Sequence, residues 1–171
     1  MHARLAALLL SLSLALPACA AQTLELTTAQ IAPHLQRHFP LQLQPLADQP
    51  GVRLSRPQLR LAASRAHLDV DIALGDARSS FPLGRASFSS GLRLDAAGGA
   101  VYLDQPRLES MAQPDGTRWQ PDPALSELLA GALERQARNT PVYRLSPSQR
   151  QAASHVAGIQ IGNDRVRIQL R

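Results

Sequence analysis

The sequence predicts an α+β fold in which helices lie against one face of an antiparallel sheet. Three observations predict it. The middle of the chain alternates apolar and polar residues with period two, most strictly in His67–Leu74, HLDVDIAL, which is the pattern of a half-buried antiparallel strand. Further on, Leu125, Leu128, Leu129, Ala132 and Leu133 recur at i, i+3, i+4, i+7 and i+8, the stripe of an amphipathic helix. The order of elements is helix, meander, long helix, short helix, hairpin, and strands grouped apart from helices read as α+β.

Each element has a local cause. Met1–Arg4 is a charged start and Leu5–Leu16 a nearly unbroken apolar run, the layout of a secretory signal peptide. The run falls short of the roughly 20 apolar residues a spanning helix needs. Leu16-Pro17-Ala18-Cys19 fits a lipobox, which would make Cys19 the acylated first residue of the mature protein. Ala18-Cys19-Ala20 fits ordinary cleavage, which would discard it. The leader is therefore 1–18 or 1–20, with 19–26 a short tether and 27–171 a single domain. Thr27 with Gln30 forms a capping box, and Leu26 and Ile31 sit at the staple positions. A helix is expected from Thr28 to His38, with Pro33 forcing a kink or a late start. Pro45–Gly51 reads as a loop.

The meander is expected from Leu54 to Met111 as four or five strands. Leu68, Val70, Ile72 and Leu74 share one face, against His67, Asp69, Asp71 and Ala73 on the other. Pro57 implies an edge position or a bulge. Phe88, Ser90, Leu92 and Leu94 alternate next, and Asp95–Gly99 turns the chain into a hairpin with Ala100–Met111. Asp122 caps a helix with Pro123 at its first position, and Asn139-Thr140-Pro141 stops it. Ser146 and Pro147 start a short helix to about Val156, and Gly158–Arg171 closes as a hairpin around Gly-Asn-Asp.

Little catalytic chemistry is visible. His34 and His38 stand four apart but without a third ligand. Asp69 and Asp71 are the polar half of a strand and read as a solvated face. No nucleophile elbow, Walker loop or dinucleotide fingerprint occurs. No catalytic residue, metal or cofactor is assigned, and the reading is not an enzyme. With one cysteine the chain has no intramolecular disulfide. All 18 basic residues are arginine, and with Arg4 removed 17 arginines face 13 acids, a net charge of +4. Guanidinium groups pair bidentately with phosphate and carboxylate, so anionic lipid or glycan fits as a partner. Nucleic acid does not, because aromatic residues are only 4% of the chain and leave few stacking platforms.

Several strings in order resemble the YceB-like bacterial envelope lipoproteins, a family built on a domain of unknown function. They are Leu26–Ile31 with Leu35, Gly99–Leu103, Pro141–Leu145 and Gly158–Ile161. The sequence departs from that pattern at Pro33 and at Ala18. The resemblance implies a fold similar to the tubular lipid-binding superfamily, in which a strongly curved antiparallel sheet wraps a long amphipathic helix around an apolar channel. It also favours acylation of Cys19 and a periplasm-facing domain anchored to the outer membrane, with a soluble periplasmic form as the alternative.

The expected function is a non-enzymatic envelope protein that binds a lipid or other apolar ligand between sheet and helix. The lining would be Leu68, Val70, Ile72, Leu74, Leu92 and Leu94 from the sheet, and Leu125, Leu128, Leu129 and Leu133 from the helix. Gly131 and nearby alanines would leave room for an acyl chain. The alternative is an adaptor domain with a filled core that docks anionic partners through its arginines.

Overall fold

The computed structural model describes residues 23–43, 51–75, 79–152 and 156–170. The leader, Cys19 and, except for Gly51, the loop expected over Pro45–Gly51 lie outside the described residues. Strand β1 (Thr23–Thr27) comes first, where a tether was expected. It pairs antiparallel with β10 (Arg165–Leu170), which pairs in turn with β9 (Val156–Ile161), giving a three-stranded sheet. Leu26 is the reason the strand holds. It lies opposite Val166, and both are fully buried.

Helix α1 (Thr28–Gln36) follows directly, and the capping box forms: the Gln30 side chain accepts from the Thr27 backbone N–H at 2.8 Å. Leu26 and Ile31, the staple pair, are both buried. Pro33 lies inside the helix without delaying its start, and the helix ends two residues before His38.

The second sheet is a seven-stranded antiparallel one. Its path runs β2 (Leu41–Leu43), β3 (Val52–Ala62), β4 (Arg65–Gly75), β5 (Ser80–Asp95), β6 (Ala100–Ala112) and β7 (Arg118–Trp119). The seventh strand, β8 (Tyr143–Arg144), pairs with β6. The alternation in β4 does what it predicts: Leu68, Val70 and Ile72 are buried and the residues between them are not. Among the described residues Pro57 sits at both an edge and a bulge: β2 pairs only with Val52–Leu54, and the register of β3 with β4 steps from Ser55 to Gln58 across Arg56, at φ +48°. The step is repeated in β6, where Gln105 at φ +48° precedes Pro106 and the register with β5 skips both. Proline brings no ladder donor, so each bulge carries it without breaking the sheet.

Helix α2 (Pro123–Asn139) starts on Asp122, whose side chain accepts from the Ala124 N–H at 2.7 Å, and Glu134 pairs with Arg138 at 3.1 Å. Helix α3 (Pro147–Ala152) is closed by Ser146 and Gln149. The Gln149 side chain accepts from the Ser146 N–H at 2.8 Å, and the Ser146 hydroxyl accepts from the Gln149 N–H at 3.3 Å. α3 is shorter than expected, since Val156 already belongs to β9.

The expected fold class is corrected here. Among the described residues 56% are in strands and 23% are helical, so the protein is mostly β and its helices are short. Among the described residues no sheet wraps a long amphipathic helix. The physical reason is that the apolar face of the large sheet is covered piecemeal: α1 packs on β3, α2 on β6, and β9 of the small sheet against β5. One core cluster joins all of these pieces. No helix is long and apolar enough to cross a membrane among the described residues.

Candidate functional site: an arginine-lined hollow on the polar sheet face

The two faces of the large sheet differ in what they leave open. On the apolar side, α1, α2, β4 and β6 enclose a crevice lined by Leu35, Phe39, Leu68, Leu103, Leu133 and Val142, with His38 and Gln136 at its margin. Its volume is about 10 Å³, the space of a single water molecule. This seam is packed shut.

Of the residues expected to line a ligand channel, Leu68 and Leu133 reach this crevice. Val70, Ile72, Leu92 and Leu129 are buried elsewhere in the continuous core, although Leu92 also borders an open hollow of about 470 Å³ with Gly91, Ile159 and Ile161, and Ile72 the larger hollow described below. Leu74, Leu94, Leu125 and Leu128 are half-buried against the core. Gly131 does not open room beside the sheet. A methyl group built on it would meet only the Arg135 guanidinium, at 3.5 Å. Leu35 and Phe39 were not expected in the lining, although their spacing from Ile31 puts all three on one side of the helix expected from Thr28, of which Phe39 falls past the observed end.

On the polar side the register builds cross-strand rows. Ser55, Asp71, Arg85 and Ala112 stand in one row, and Gln58, Asp69, Ser87 and Ser110 in the next. The bulge at Arg56–Pro57 adds Arg56 to the first row. Asp71 accepts from the Arg85 Nε at 3.0 Å, and its other oxygen is ion-paired with the Arg56 guanidinium without hydrogen-bond alignment. Asp69 accepts from the Ser87 hydroxyl at 2.6 Å and from Arg60 at 3.2 Å. The two aspartates are thus not a solvated face. Asp71 is only 14% exposed, whereas the Arg56 side chain above it is 80% exposed.

Over this first row lies an open hollow of about 750 Å³, lined by Arg53, Arg56, Arg85, Asp71, Pro82 and Gly84 together with the turn after β6. A second hollow of about 480 Å³ shares Arg53, Ser55 and Arg56 with it and continues past Pro57 to Gln36 and Phe39. Gly84 shapes the floor. Its φ is +134°, and a side chain there would collide with the Ala112 carbonyl at 1.9 Å.

Chemically, the guanidinium groups of Arg56 and Arg85 pair with the carboxylate of Asp71, Arg53 lines the same hollow, and Asp71 is the one acidic residue of the lining. Each arginine carries five N–H donors in a planar fork, and one carboxylate cannot engage those of Arg56 and Arg85 together. The surplus donors and charge face the solvent of the hollow and suit an anionic group. The histidine pair is not assembled: His34 lies edge-on to Tyr143 at 5.0 Å, and His38 falls beyond the end of α1. Sequence reasoning missed the hollow because its arginines are scattered along the chain; only the bulge and strand register bring them together.

The family described as "Protein of unknown function (DUF1439)" matches residues 26–165, from the buried Leu26 to the first residue of β10. The chain belongs to this family. No curated protein matches it.

Proposed function

With membership of the DUF1439 family as premise, we propose that the protein is a non-enzymatic binding domain of the cell envelope that engages anionic partners through the arginine-lined face of its large sheet. One observation carries this reading: the hollow of about 750 Å³ lined by Arg53, Arg56 and Arg85 with the carboxylate of Asp71 as its one acidic group. The net positive charge of the chain and the packed apolar seam support it. The resemblance to the YceB-like lipoproteins supports a periplasm-facing site of action, with the domain anchored to the outer membrane through an acylated Cys19 or free after cleavage past Ala20.

Retention on an immobilised polyanion tests the reading. Arg53→Gln/Arg56→Gln leaves Arg85 to partner Asp71 and so spares the fold. The double variant is expected to elute at clearly lower salt than the wild type, because exposed charges act through a screened field. Elution at an unchanged salt concentration would sink the proposal.

A second reading is a lipid or other apolar ligand held between sheet and helices, as in the tubular lipid-binding superfamily. It is favoured by the apolar lining of the crevice at Leu35, Phe39, Leu68, Leu103 and Leu133. With about 10 Å³ available, a ligand there has to displace side chains. Organic extraction of the purified domain followed by mass spectrometry decides it: stoichiometric lipid supports this reading, and none above background removes it.

A further inference from the structure

At the end of the large sheet that carries the arginine hollow, the apolar face ends in a row with one exposed member. Leu43, Val52, Leu74 and Phe81 form one cross-strand row there. Val52 is buried and Leu43 and Leu74 are half-buried. Phe81 is 68% exposed, the one large hydrophobic side chain so exposed among the described residues. Its neighbours Ser80 and Pro82 line the hollow on the opposite face, beside Arg53 and Arg85. The start of β5 therefore presents an aromatic ring on one side and guanidinium groups on the other, within a few residues.

An anionic small molecule would need the arginines alone, and an acidic protein segment would leave Phe81 without a role. A bilayer surface with anionic phospholipid uses both: phosphates take guanidinium groups, and the boundary of the acyl region takes an aromatic ring. The hollow's excess of arginine over acid provides the complementary charge. We propose that the β4–β5 end of the sheet docks on an anionic lipid bilayer, with Phe81 as the apolar anchor and Arg53, Arg56 and Arg85 on the headgroup phosphates. This rests on the anionic-partner reading above and names the partner of that same site.

The test uses the chain from Thr23 onward, without acylation, and vesicles of phosphatidylcholine with or without phosphatidylglycerol. The wild type is expected to co-sediment with phosphatidylglycerol vesicles and not with pure phosphatidylcholine. Phe81→Ser is expected to lower vesicle partitioning about tenfold or more, the worth of burying one aromatic side chain, while its retention on the polyanion stays unchanged. Phe81→Trp should add emission that shifts to the blue on these vesicles and is quenched by brominated acyl chains. Vesicle binding by Phe81→Ser equal to the wild type, or no wild-type binding to phosphatidylglycerol vesicles, overturns the bilayer proposal. Polyanion retention that ignores Arg53→Gln/Arg56→Gln overturns the broader reading instead, so the two failures are told apart.

Discussion

Glu25 shows how single side chains tie the termini of the domain together. It stands opposite Arg167 on the β1–β10 ladder, with Arg165 two positions along. Its carboxylate accepts from the Arg167 Nε at 2.9 Å and from Arg165 at 3.2 Å. The hydrogen bond from Arg167, helped by the charges of both arginines, holds the carboxyl below its ordinary value of 4.5. Folding thus favours the ionised form. The contribution is complete above about pH 4.5 and fades as pH falls through the lowered value. Glu25→Gln should therefore lower the midpoint of urea unfolding near neutral pH and flatten its fall on acidification. All three side chains are well exposed, so molar salt should shrink the difference. Equal acid limbs for variant and wild type would remove Glu25 from this role.

At the scale of elements, what could be read from the sequence depended on whether its cause was local. The α1 capping box, the Asp122 cap with Pro123, the strict alternation of β4 and the Asp95–Gly99 turn are all short-range patterns, and each formed. The Thr23–Thr27 strand was not read from the sequence, because its partner lies some 140 residues away and the alternation of Leu24 and Leu26 with Thr23, Glu25 and Thr27 is only five residues long. The arginine hollow was hidden for the same reason. The β3–β4 turn lacks turn chemistry altogether. Ala62 pairs with Arg65, so two residues close the hairpin, and Ala63 and Ser64 take φ of +49° and +62°. Such turns ordinarily select Asn-Gly, since a Cβ costs about 1–2 kcal/mol in the left-handed region. Ala63→Asn/Ser64→Gly is expected to stabilise the domain by about 1 kcal/mol, read as a higher midpoint in denaturant with the same m-value. A midpoint at or below that of the wild type would show that the turn is not strained.

For the whole molecule the question is whether the interior is a filled core or a collapsed binding channel, and the two make opposite predictions for one substitution. Leu133 lies 2% exposed on α2, facing the same crevice as Leu68 of β4 and Leu103 of β6. In a filled core its truncation removes contacts that nothing replaces. Leu133→Ala should then cost about 2–5 kcal/mol, and adding detergent-solubilised fatty acid or phospholipid should not restore it. In a channel the site is built to exchange protein contacts for ligand contacts. Truncation would then be cheap in the presence of lipid, and Tm would climb with lipid concentration as any specific ligand raises it. The crevice of about 10 Å³ and the piecemeal cover by α1, α2 and the small sheet favour the first outcome. Saturable recovery of Tm by lipid in Leu133→Ala would reverse that preference and move the function from the arginine face to the interior.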